Sequence, residues 1–103
     1  MSKFDSLHMT VIRWLEEKGI AKNSTGLKQF TKGTAERGEL AQAILDNDIE
    51  AIMDGIGDSW ICDISTCLQF GIDPVDCLEL AVNVVTKRKG EMKNGIFVKE
   101  QNE

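Results

Sequence analysis

Proline occurs once, at Pro74, so almost nothing in the chain interrupts helical backbone. Histidine also occurs once, at His8. That leaves no set of imidazoles for a zinc site and no partner for a two-histidine dyad, which removes many hydrolase classes. The three cysteines, Cys62, Cys67 and Cys77, are odd in number and lack the CxxC spacing of a redox pair or zinc knuckle. They read as free thiols, with Cys62 and Cys67 acting as small buried hydrophobes. No apolar run approaches the roughly 18 residues of a spanning helix, and the segment MSKFDSLHMT has no apolar signal-peptide core. The expectation is a cytoplasmic protein without a membrane partner. Basic residues are outnumbered by acidic ones, 12 to 17, for a net charge of -5. That balance opposes attraction to a phosphate backbone, so no nucleic-acid partner is expected.

What is present is helical periodicity. Four apolar-periodic stretches, with few alternating β-branched runs, predict an all-α chain of four helices. The first starts at Asp5 or Ser6, turns Leu7, Val11, Trp14 and Leu15 inward and stops at Gly19. Residues 20–25 form a polar connection. The second helix runs from about Gly26 to Leu45 with two stripes: an apolar face of Leu27, Phe30, Ala41, Ile44 and Leu45, and a face of Gln29, Lys32, Glu36, Glu39 and Ala43. The third, after Asp48, spans some twenty residues with Ile49, Ile52, Ile56, Trp60, Ile64 and Cys67 on one arc. Gly71 ends it. Asp73 and Pro74 open a fourth helix to about Lys89. Beyond Asn94-Gly95, Ile96-Phe97-Val98 predicts a short extended arm. The division is one domain over 1–103, with a core at 5–90 and an arm at 91–103. A domain this small buries a modest share of its surface, which predicts assembly with further copies of itself, as a dimer or tetramer.

Four glycines, Gly33, Gly38, Gly55 and Gly57, fall inside these helices, each costing about 1 kcal/mol relative to alanine. Close approach of another helix or a ligand would offset that cost; the alternative is a turn at Asp54-Gly55 that splits the third helix. Glu36 and Glu39 are three apart, and Asp54 and Asp58 four apart, so each pair leaves one helical face. If the second and third helices pack antiparallel, four carboxylates face each other without an opposing basic residue at helical spacing. Oxygen ligands with no imidazole or thiolate suit a hard cation, magnesium first. Solvated surface charge is the competing reading of the same four residues.

These residues resemble the all-α nucleoside triphosphate pyrophosphohydrolases, the group that includes MazG-like proteins, dimeric dUTPases and phosphoribosyl-ATP pyrophosphatases. Glu36-Arg37-Gly38-Glu39-Leu40 is similar to the family's EExxEL segment, with Gln29 and Lys32 at familiar upstream positions. The second motif reads Asp54-Gly55-Ile56-Gly57-Asp58 where the family has DExxD. Asp58 matches, the usual glutamate is Gly55, and Asp54 stands one position earlier. Asn83 and Lys87 resemble the fourth-helix asparagine and lysine that contact substrate, and Arg88 and Lys89 add charge beside them. The tail GEMKNGIFVKE looks like the ending of a MazG-like subgroup from bacteria and their phages, so the resemblance covers about residues 27–100.

The resemblance implies a four-helix MazG-like bundle completed by homo-oligomerisation. It further implies a magnesium-dependent enzyme, manganese being the substitute, that cleaves an NTP or dNTP between its α and β phosphates. Glu36, Glu39 and Asp58 are the implied catalytic residues, Glu36, Glu39, Asp54 and Asp58 the metal ligands, and Gln29, Lys32, Asn83, Lys87 and Arg88 the substrate contacts. The rival is a non-catalytic helical interaction or regulatory module on the same scaffold, motivated by Gly55.

Three other features read as structural. GIGD lacks the third glycine and preceding strand of a dinucleotide fingerprint. His8 reads as a surface or capping residue. Trp60 reads as core by its place in the apolar arc, with stacking on a base as the alternative.

Overall fold

The computed structural model describes residues 1–101. Five helices are followed by a two-stranded hairpin: α1 (Lys3–Glu17), α2 (Ile20–Asn23), α3 (Gly26–Leu45), α4 (Ile49–Gln69), α5 (Pro74–Val85), β1 (Gly90–Lys93) and β2 (Ile96–Lys99). Each long helix is opened by a side-chain oxygen, which satisfies one of the amide groups a helix start leaves unpaired. Ser2 accepts the Asp5 N–H and donates back to the Asp5 carboxylate, so α1 begins earlier than the Asp5 or Ser6 start expected. Thr25 caps α3, Asp48 caps α4, and Asp73 with Pro74 opens α5.

Helix ends follow the same local chemistry. Gly71, at φ 66°, closes α4 while the Ile72 N–H reaches back to the Cys67 carbonyl at 3.0 Å. Three further features differ from the sequence reading. Residues 20–23 form the one-turn helix α2, held where Gln69 Nε2 donates to the Ile20 carbonyl at 3.0 Å. The last helix ends at Val85 instead of near Lys89, so Lys87 and Arg88 lie past it. The arm is an antiparallel hairpin, because Asn94 (φ 50°) and Gly95 (φ 81°) make the left-handed two-residue turn whose twist suits paired strands.

The centre of the fold is the α3/α4 pair. Cys62 lies against Gly33, Leu40 against Gly55, and Ser65 bonds to Gln29, which fixes an antiparallel register. α4 runs unbroken through Asp54-Gly55, and a Cβ on Gly55 would come within 3.1 Å of Leu40: the glycine is a contact point, not a turn. Leu15, Leu40, Ala43, Cys62 and Ile64 form the buried apolar core.

The apolar stripes do not lie where the periodicity put them. Leu27, Phe30, Ala41, Ile44 and Leu45 are exposed, and the α3 face of Gln29, Gly33, Glu36, Leu40 and Ala43 meets α4 instead. Small residues explain the choice: Gly33, Ala43, Gly55, Ser59 and Ser65 allow two backbones to approach closely where bulky side chains would not. Of the α1 stripe, Leu15 is buried, Val11 half-buried, and Leu7 and Trp14 exposed. Every residue of α5 after Pro74 is exposed. The accessible surface is 8372 Å², against about 5,800 Å² for a compact monomer of this mass. The radius of gyration is 16.3 Å, where about 13 Å is usual for 100 residues.

Candidate functional site

The close α3/α4 contact sets the height of the acidic residues. Between the Gly33–Cys62 and Gly55–Leu40 contacts, the register stands Ser59 across from Glu36, with Asp58 beside it and Asp54 one turn earlier on α4. Glu36 is half-buried and ion-paired to Lys32 at 3.6 Å, one helical turn away. Lys32 is therefore the opposing basic residue at helical spacing that the sequence reading did not credit.

Partial burial pushes the Asp58 carboxyl above the usual carboxylate range, the charges of Asp54 and Glu36 and a hydrogen bond with Asp54 push the same way, and Lys32 opposes them. The Cys62 thiol is also pushed up, first by burial, and it too feels Lys32, Glu36 and Asp58. Three carboxylates and one ammonium group thus share a field at the middle of the helix pair.

Of the four expected metal ligands, Glu36, Asp54 and Asp58 belong to this group. Glu39 is exposed, and its charge is not among those acting on Asp58. Among the described residues no three acidic, cysteine or histidine side chains close around one point, so the single chain holds no ready-made cage. The donor chemistry still suits a hard cation: the groups are all oxygen and crowd one another as anions. Ser59 is 5% exposed, and its buried hydroxyl has no hydrogen-bond partner among the described residues, an orphaned oxygen next to Asp58. A Cβ at Gly55 would come within 3.1 Å of the Leu40 side chain, so the position packs tightly against α3.

The expected substrate contacts are dispersed. Gln29 has both ends of its amide occupied: Nε2 donates to Ser24 Oγ at 2.9 Å, and Oε1 accepts from Ser65 Oγ at 2.7 Å. Lys32 stands with Glu36. Asn83 lies on the exposed α5. Lys87 and Arg88, with Lys89 and Lys99, line an open cavity of about 700 Å³ between the end of α5 and the hairpin.

One feature escaped the sequence reading. Phe4 and His8, one turn apart on α1, have stacked rings (6.4 Å, 5° between planes), and Phe4 meets Trp60 of α4 at 5.4 Å. Trp60 is 49% exposed and not core. Phe4, His8, Trp60, Ile61 and Gly57 line an apolar groove of about 300 Å³ beginning one residue from Asp58. The (i, i+4) spacing of Phe4 and His8 was the available signal; their apposition to Trp60 depends on how α1 crosses α4, which no local pattern encodes.

An uncharacterised 18.2 kDa protein from the rep-hol intergenic region of Haemophilus phage HP1 (strain HP1c1) is similar to this chain, 32% identical over 75 residues. The alignment takes in 73% of this chain and 46% of that protein, so the chain spans about half the length of the curated relative it matches. No protein-family model and no solved structure matches it.

Proposed function

We propose that this chain is a MazG-like, magnesium-dependent nucleoside triphosphate pyrophosphohydrolase acting as a homo-oligomer in the cytoplasm. The observation that carries the proposal is the gathering of Asp58, Asp54 and Glu36 with Lys32 at the tightest part of the α3/α4 pair. Crowded carboxylates repel one another, and a divalent ion relieves that repulsion. Glu36, Asp54 and Asp58 would hold the ion, with Glu39 joining from the next turn of α3. Bound there, magnesium supplies charge neutralisation at the phosphates and makes a nearby water more acidic.

The chain's own groups do the rest. One carboxylate of the group, Asp58 or a neighbouring glutamate, would accept the proton of the attacking water. Lys32 neutralises charge on the triphosphate, and Lys87 and Arg88 meet the departing pyrophosphate. The groove of Phe4, His8 and Trp60, which begins one residue from Asp58, offers flat aromatic faces on which a nucleobase could stack.

Surface supports the oligomer. The excess over a compact monomer is about 2,600 Å² per chain, or about 5,200 Å² over two copies, at the upper end of obligate interfaces. It is contributed by Val75, Leu78 and Val82 of α5 and by the outer faces of α3 and α4. Lys87 and Arg88 lie at the far end of a helix that leaves its own bundle, which fits a site shared between two copies.

The test is pyrophosphate release from a panel of NTPs and dNTPs with magnesium or manganese. Release should stop with chelator, and Glu36→Gln, Glu39→Gln and Asp58→Asn should each lower it by about 100-fold or more. No turnover across the panel would overturn the assignment. A second reading, a non-catalytic helical module, is favoured by Gly55 packing on Leu40 where the family carries a carboxylate. It requires a melting temperature indifferent to millimolar magnesium.

A further inference from the structure

Cys67, in the last turn of α4, and Cys77, in the first turn of α5, have their sulfurs 3.7 Å apart. We propose that these two residues are a modification site: a dithiol that closes to a reversible disulfide and ties the base of α5 to the end of α4. A disulfide needs its sulfurs about 2.05 Å apart, so the pair has less than 2 Å to travel. Little within the chain resists that movement, because α5 is exposed from Val75 onward and is joined to α4 by a short link containing Gly71.

The two sulfurs have different roles. Cys77 is exposed and meets an oxidant first. Cys67 is held back as a thiol, pushed up to about 11 by burial and then by its hydrogen bond to Cys77. Cys62, the third cysteine, is 5% exposed and does not compete. With a small disulfide such as oxidised glutathione as oxidant, the Cys77 thiolate attacks one of its sulfurs and expels one glutathione thiolate, leaving a mixed disulfide. Cys67 then gives up its proton, attacks the Cys77 sulfur and expels the second glutathione. The protein loses two electrons and two protons, and the oxidant leaves as two thiols.

The full-length protein is incubated with oxidised glutathione, alkylated under denaturing conditions and weighed intact, then digested without reductant. The expected result is a mass lower by two hydrogens before alkylation, one alkylated cysteine (Cys62), a cross-linked peptide pair containing Cys67 and Cys77, and a melting temperature raised by about 10 °C that dithiothreitol reverses. Cys67→Ser should stop at a glutathione adduct on Cys77, and Cys77→Ser should leave two alkylatable thiols. A wild-type protein that retains glutathione without cross-linking, joins two chains through Cys77, or keeps three free thiols overturns the proposal.

Discussion

Asp58 is partly buried where like charges converge, and burial first, then the charges of Asp54 and Glu36, raise its carboxyl above the usual range. Its proton is held more tightly in the folded chain than in the unfolded one, so the folded state gains stability as pH falls through the raised value and loses it as pH rises. At neutral pH the ionised group therefore destabilises the metal-free fold. Like charges one turn apart on a helix cost about 0.2–0.5 kcal/mol, so Asp58→Asn should raise the melting temperature at pH 7 by about 2 °C without added metal. The difference from wild type should shrink as pH drops into the range, above the usual carboxylate one, in which Asp58 takes up its proton. Thermal scans of both proteins from pH 3.5 to pH 7 check the sign. Ser59 gives a second test at this scale: removing an unpartnered buried hydroxyl leaves no bond to lose, so Ser59→Ala should be neutral or stabilising by up to about 1 kcal/mol in denaturant titration.

Among the elements, the α3/α4 pair is held at its distance by Gly33 and Gly55. Gly55→Glu adds the carboxylate that the proposed function would call for but forces a side chain against Leu40, and overpacking of this kind costs about 1–3 kcal/mol. A fall in melting temperature of about 10 °C, with no gain in magnesium affinity by titration calorimetry, is the expected outcome. The limits of α3 and α4 were readable because Thr25, Asp48 and Gly71 announce them chemically. So were Asp73-Pro74 at the head of α5 and the turn at Asn94-Gly95. Which face of α3 meets α4 was not readable. Hydropathy favoured the stripe from Leu27 to Leu45, while close packing favoured the glycine-bearing stripe, and periodicity carries no information about how near two backbones will come. The same rule limits how far the candidate site could be read: spacing pairs Glu36 with Glu39 and Asp54 with Asp58, but contact across the helices sets Glu36, and not the exposed Glu39, beside Asp58.

For the molecule as a whole, the surface is too large for the mass. Val75, Leu78, Val82 and Val85 recur at helical spacing along one side of α5, all exposed. If a second copy covers them, Leu78→Glu with Val82→Glu should yield a species of 11.4 kDa in sedimentation where the wild type is at least twice as heavy. The same double variant should lose pyrophosphate release even though neither residue belongs to the acidic group.

The bareness of α5 also bears on how the chain gains its order. Twelve residues with no packed face are marginal as a helix in water. Amide hydrogens from Cys77 to Val85 should therefore exchange with solvent quickly in dilute protein and slow as protomer concentration rises. Those around Gly33 and Gly55, already sealed inside their own chain, should exchange at rates that dilution changes far less. Folding would then proceed in two stages, the inner helix pair alone and the outer helix only in company.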